Sequence, residues 1–128
     1  METNAKILIA DENSSQRQSL LAELRRAGYT NVEIATNGED ALFKIDKYHP
    51  DVVIIDPPRK GSTKELVDTL AELDVPRVVY VSCDPSTLAR DCAWFRDCGY
   101  EIGDVTPVDM FPRTGHVESV VCLERRRK

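Results

Sequence analysis

The chain has 128 residues, of which 41% are apolar and 30% charged, with a net charge of -5. That length buries one core rather than two, and the composition excludes a disordered or fibrous chain. No apolar run approaches the roughly 20 residues of a membrane helix, residues 1–6 lack the apolar stretch of a secretory leader, and the acidic balance argues against a nucleic-acid partner, which needs positive surface to neutralise phosphate.

Lys6 to Ala10 (KILIA) predicts a first short strand. Leu20, Leu21, Leu24 and Ala27 then recur at helical spacing, and Gly28 supplies the stop. Val32 to Ala35 predicts a second strand. Asn37-Gly38 turns the chain into a helix carrying Ala41, Leu42, Ile45 and Tyr48. It ends at His49-Pro50, because a residue before proline avoids the helical region. Asp51 to Asp56 (DVVIID) is a third, fully apolar strand. Ser62 and Glu65 have capping-box spacing and open a helix with Leu66, Val67, Leu70 and Leu73 on one face. Val78 to Val81 is the fourth strand. Asp84-Pro85 reads as an N-cap with proline in the first turn of a helix lined by Leu88, Cys92 and Phe95 that stops at Gly99. Tyr100 to Pro107 and Val117 to Leu123 are strand-like. The intervening ten or so residues, with Pro112 and Gly115, suit a hairpin rather than a crossover. Four βα units and a final hairpin predict one α/β domain over residues 1–128, with a flavodoxin-like or Rossmann-like sheet between two helical layers.

The four cysteines, Cys83, Cys92, Cys98 and Cys122, form no CxxC pair, which predicts free thiols in a reducing cytoplasm and no zinc site. Cys92, Cys98 and Cys122 read as packing residues, as does Trp94. His49 and His116 have no metal-ligand partner at useful spacing. Arg125, Arg126, Arg127 and Lys128 read as a solvated basic tail.

Two resemblances meet at Asp56. Residues 5–56 resemble the first half of a response-regulator receiver domain through ILIADE (Ile7 to Glu12), ATNGEDAL (Ala35 to Leu42) and PDVVIID (Pro50 to Asp56). That resemblance implies an Mg²⁺ site on Asp11, Glu12 and Asp56, with Asp56 accepting a phosphoryl group and Ser82 standing in for the family's hydroxyl residue. The receiver pattern is incomplete, because the family's Lys-Pro pair is missing and Pro57 and Pro58 remove backbone N–H donors beside Asp56. Residues 51–124 resemble the C-terminal part of S-adenosylmethionine-dependent RNA uracil-5-methyltransferases. The carrying motifs are DPPRKG (Asp56 to Gly61), YVSCDPSTLARD (Tyr80 to Asp91) and DMFPRTGHVE (Asp109 to Glu118). That resemblance implies Cys83 as the nucleophile at carbon 6 of uracil and Glu118 as the base at carbon 5. It also implies strand order 2-1-3-4-6-5 with strand 6 antiparallel, so that both residues face one pocket. Asp84 disfavours a Cys83 thiolate unless it turns away to cap the helix.

Together these readings predict an engineered chimera, receiver-like over 1–56 and methyltransferase-like over 57–128, designed to fold and lacking a complete activity. The alternatives are a uracil-5-methyltransferase remnant acting through Cys83 and Glu118, and an Mg²⁺-dependent phosphoreceiver acting on Asp56. S-adenosylmethionine is not expected, because ADENSSQ (Ala10 to Gln16) holds no glycine for close cofactor approach. Weak Mg²⁺ binding at Asp11, Glu12 and Asp56 is the one cofactor expectation. No partner is identifiable, and a monomer is expected.

Overall fold

The computed structural model describes residues 4–11, 14–57, 63–82, 84–111 and 116–125, with the backbone alone at 107–111 and 116–118. Among these residues, four helices and six strands alternate as β1 (Ile7–Asp11), α1 (Ser14–Arg26), β2 (Val32–Ala35), α2 (Gly38–Tyr48), β3 (Val52–Asp56), α3 (Lys64–Glu72), β4 (Arg77–Ser82), α4 (Pro85–Asp97), β5 (Tyr100–Phe111) and β6 (His116–Arg125). The strands form one sheet in the order β2-β1-β3-β4-β6-β5. β1 pairs in parallel with β2 and β3, and β3 with β4, while β6 runs antiparallel to both β4 and β5. The expected fold class, strand order and antiparallel final strand all hold.

Local chemistry sets the element ends. Gly28 (φ 100°) and Gly99 (φ 98°) take the left-handed conformation that stops α1 and α4. His49 is also left-handed, at φ 49°, and its N–H bonds the Ile45 carbonyl at 3.1 Å. The Asn37 side chain accepts from the Asp40 N–H at 2.8 Å, and Asp40 in turn accepts from the Thr36 N–H at 3.1 Å. The Thr36 N–H, with help from Lys44, holds the Asp40 carboxyl below its ordinary pKa. α3 is capped by Thr63, whose hydroxyl accepts from the Leu66 N–H at 3.2 Å. The helix therefore opens one residue later than the Ser62 capping box predicts, and Ser62 lies outside the described residues.

The last two strands are longer than expected. Pro107 reads as a strand end, yet it sits within β5 opposite Ser119. β5 is an edge strand, where a missing N–H leaves no central ladder bond unmade. The register shifts between Ile102 and Val105. Gly103 lies in that bulge, where a Cβ would stand 2.8 Å from the Cys122 carbonyl oxygen, so no larger residue fits without movement.

The sheet divides two cores. On one face α2, α3 and α4 close over Leu8, Val53, Ile55, Val78, Tyr80, Val121 and Leu123. Tyr80, Phe95 and Tyr100 stack edge to face there, with ring centroids 6.4 and 5.4 Å apart. On the other face Leu21 of α1, flanked by Leu20 and Leu24, packs on Ile7, Ile9, Val52, Ile54 and Val81. Among the described residues no helix is long and apolar enough to cross a membrane.

Candidate active site

Parallel strands deliver their following loops to the carboxyl edge of the sheet, and ligands of open α/β sheets bind there, where the strand order reverses. The reversal here falls between β1 and β3. Asp11 and Asp56 end these two strands and are Cα partners. Asp11 is buried and Asp56 half-buried. Gln16, in the first turn of α1, reaches across both. With its amide nitrogen toward the strand ends it donates to Asp11 Oδ2 at 3.2 Å and to Asp56 Oδ2 at 2.8 Å, the orientation that satisfies both ends of the amide. The neighbouring Arg17 is buried, and its Nη1 donates to the Asp11 carbonyl at 2.7 Å. Gln16 and Arg17 went unnoticed in the sequence. Their only signal is that α1 carries two long polar side chains within its first turn. Of the three expected Mg²⁺ ligands, Asp11 and Asp56 come together, with the Gln16 amide between them. Glu12 lies outside the described residues, among which no trio of His, Cys, Asp or Glu stands ready to hold a metal.

A second cluster forms at the same edge, at the end of β4. Ser82, the last residue of that strand, is the Cα partner of Ser119 in β6. It is buried. Its hydroxyl donates to the Asp84 carbonyl at 2.9 Å and accepts from the Asp84 N–H at 3.1 Å. That proton is engaged, so Ser82 does not serve as the free hydroxyl of a receiver site. The Asp84 carboxylate turns onto α4 and accepts from the Ser86 N–H at 2.9 Å and the Ser86 hydroxyl at 2.7 Å. This is the capping orientation that removes its objection to a thiolate nearby. Cys83, between Ser82 and Asp84, lies outside the described residues. Glu118 precedes Ser119 in β6, and its backbone pairs with Val108.

Behind this edge, Asp91 is fully buried on the core face of α4, a position the Leu88–Cys92–Phe95 pattern passes over because it reads only apolar spacing. It accepts from the Tyr80 hydroxyl and from Arg90 Nε and Nη2 at 3.1 and 2.9 Å. The Arg90 guanidinium lies over the Trp94 ring, 4.6 Å from its centroid. The Tyr80–Asp91 bond ties α4 to β4 directly behind Ser82. Burial pushes the thiols of Cys92, Cys98 and Cys122 above the ordinary cysteine value, reinforced at Cys92 by Asp91 and at Cys98 by a hydrogen bond to Asp68. A raised pKa leaves each of them less thiolate, the reactive form, at neutral pH.

Comparison with known proteins sets these clusters in context. A family model for tRNA (uracil-5-)-methyltransferases matches residues 29–126. An uncharacterized RNA methyltransferase of Clostridium acetobutylicum is 54% identical over 104 residues, covering 79% of this chain and 23% of that protein. Another uncharacterized RNA methyltransferase, from Enterococcus faecalis, is 48% identical over 105 residues, covering 77% and 23%. A tRNA (uracil-54, C5)-methyltransferase from Pyrococcus abyssi, solved in complex with S-adenosyl-L-homocysteine, superposes with a TM-score of 0.60 at 31% identity, covering 92% of this chain and 28% of that one. The precorrin-6y C5,15-methyltransferase of Geobacter metallireducens, at a TM-score of 0.60 and 16% identity over 94% of this chain and 68% of its own, shares the fold. The chain spans about a quarter of the length of the curated relatives it matches.

These matches overturn the engineered chimera. The family match starts at residue 29 and spans the supposed join at 51–56, so the second strand and its helix belong with the methyltransferase pattern. The receiver half finds no support in the matches. Its carrying residues have structural roles instead: Asn37 and Asp40 cap α2, and the Asp51 carboxylate accepts the Lys6 N–H at 2.9 Å. The matches lend no support to a phosphoacceptor role for Asp56 either. Two exclusions also fail, those of S-adenosylmethionine and of nucleic acid, against an RNA-methyltransferase family and a structural neighbour solved with S-adenosyl-L-homocysteine. The missing glycine turn misled because it judged the cofactor by one loop. The acidic charge misled because it judged RNA binding from a segment about a quarter as long as its relatives.

Proposed function

The chain belongs to the tRNA (uracil-5-)-methyltransferase family, and from that premise we propose that it supplies the catalytic edge of an S-adenosylmethionine-dependent enzyme that methylates carbon 5 of uracil in RNA. The observation that carries this reading is the pairing of Ser82 with Ser119. Cys83 follows the first of these residues in the chain and Glu118 precedes the second, so the two candidate groups adjoin the same rung of the ladder in sequence. The thiolate of Cys83 adds to carbon 6 of the ring, forming a C–S bond and raising an electron pair at carbon 5. That pair would take the methyl group, the donor's sulfur keeping both electrons of the S–C bond that breaks. Glu118 removes the carbon-5 proton, and the returning electrons expel the thiolate and restore the ring double bond.

S-adenosylmethionine, when bound, supplies an electrophilic methyl group. The residues at the reversal point fit it in charge and hydrogen bonding. Asp11 and Asp56, paired at the strand ends, would hold it through their carboxylates, whose negative charge would complement the sulfonium. Gln16 fixes the orientation of both carboxylates.

The test uses RNA containing 5-fluorouridine, in which no proton can leave carbon 5. Incubation with S-adenosylmethionine is expected to trap a covalent protein–RNA adduct at Cys83, seen by mass spectrometry and lost in Cys83→Ser. An adduct at another cysteine, or none with a longer relative serving as a positive control, contradicts the reading.

A further inference from the structure

We infer that Arg17 is a specificity-determining residue for the cofactor, its guanidinium taking the carboxylate of the cofactor's amino-acid end. This rests on the reading of S-adenosylmethionine given above. The observation behind it is a buried cation with an open hydrogen-bonding edge. Arg17 is 8% exposed. Its Nη1 donates to the Asp11 carbonyl. Among the described residues its Nε and Nη2 find no acceptor, no carboxylate pairs with it, and Nε is enclosed as well. Those two nitrogens form the side edge of the guanidinium fork, an edge that grips carboxylates. Arg90 shows the edge in use, holding the buried Asp91 carboxylate through Nε and Nη2 at 3.1 and 2.9 Å. A buried charge left unpaired is strongly destabilising, so the open edge of Arg17 points to an anion that arrives from outside the chain.

The surroundings narrow the kind of anion. The Arg17 head is anchored at the end of β1, beside the opening turn of α1, which carries no acidic residue. The partial positive charge of that helix end adds to the guanidinium. Yet the same strand ends carry the Asp11 and Asp56 carboxylates, joined by Gln16. A phosphate, free or in RNA, would meet their repulsion, and a plain cation would meet that of Arg17. A zwitterion suits both groups at once. The amino-acid end of S-adenosylmethionine is one, with ammonium and carboxylate on a single carbon and the sulfonium close by. Its carboxylate would go to Arg17 and its positive groups to Asp11 and Asp56.

The experiment is calorimetry on the full 128-residue chain and its Arg17→Gln variant. The ligands are S-adenosyl-L-homocysteine and its methyl ester, which keeps the amine and removes the carboxylate charge. In the wild-type chain the ester is expected to bind about tenfold more weakly than the acid, the factor set by one lost charge-assisted hydrogen bond. In Arg17→Gln the acid is expected to fall to the level of the ester, and the ester to lose nothing further. Equal binding of acid and ester to the wild-type chain overturns the assignment of Arg17. So does an ester penalty that persists undiminished in Arg17→Gln, because the carboxylate is then held elsewhere. A wild-type chain that binds neither ligand overturns the cofactor reading, and the role of Arg17 with it. Should circular dichroism show Arg17→Gln unfolded, the enclosed, slowly exchanging arginine Nε–H resonance of the wild-type chain decides instead. A shift with the acid and not with the ester upholds the assignment, and an equal response to both overturns it.

Discussion

Among the described residues, one face of the sheet carries α2, α3 and α4 over a cluster of 17 buried residues, while the other meets α1 over six. The thick face is built from elements that lie mostly within residues 29–126, the stretch that matches the methyltransferase family. The helix of the thin face, Ser14–Arg26, lies before it. Cohesion and chemistry are therefore distributed differently. The thick face holds the strand and helix that flank Cys83. The thin face lends α1, whose Gln16 and Arg17 dress the ends of β1 and β3.

Core truncation sharpens this contrast most. Phe95 is fully buried between Tyr80 and Tyr100. Phe95→Ala is expected to cost about 3–5 kcal/mol, and Leu21→Ala on the thin face about 2 kcal/mol, the low end for its type, because a one-helix layer relaxes more readily around a lost side chain. Urea midpoints at constant slope measure both. Equal losses would erase the distinction between the faces.

A smaller effect isolates the tie between α4 and β4. Tyr80→Phe removes a donor from the buried Asp91 carboxylate and is expected to cost about 1–3 kcal/mol. Denaturation of Tyr80→Phe alongside Asp91→Asn checks it. A Tyr80→Phe protein as stable as wild type would make that hydrogen bond energetically idle.

The smallest effect at neutral pH concerns Tyr100, whose hydroxyl donates to the Leu70 and Val75 carbonyls at 3.1 and 2.7 Å and joins α3 to the turn that leads into β4. Burial raises its pKa well above the ordinary 10.0, against a smaller opposing pull from Arg125. Below that ordinary value both folded and unfolded chains hold the proton, and the contribution is complete. Above it the unfolded chain releases the proton while the folded one keeps it, so stability falls as pH rises toward the folded value. Tyr100→Phe is expected to flatten this alkaline loss. A slope unchanged in the variant would assign it to other groups.

The fold could be read from the sequence because its signals are local. Gly28, Asn37, His49-Pro50, Asp84-Pro85 and Gly99 each mark a helix end by their own backbone chemistry. Lone prolines and polar positions inside apolar patterns could not be read that way. Pro107 is tolerated only because its strand lies at an edge, and Asp91 is buried only because Tyr80 faces it, and both facts depend on residues distant in the chain. The motif around Cys83 and Glu118 was visible. Its setting was misjudged because ILIAD and NGED spell strand ends and helix caps common to many parallel α/β sheets.

The proposed joint action of Cys83 and Glu118 requires them to be neighbours, which a chemical ruler can test. Facing residues of an antiparallel pair have Cα atoms about 4.5–5.5 Å apart, within the reach of a disulfide. In Glu118→Cys, mild oxidation is expected to link position 118 to Cys83 ahead of any pairing with Cys92, Cys98 or Cys122, as peptide mapping would show. A link to one of those three instead, or none under conditions that oxidise exposed thiols, would separate the two residues and remove the basis for their joint action.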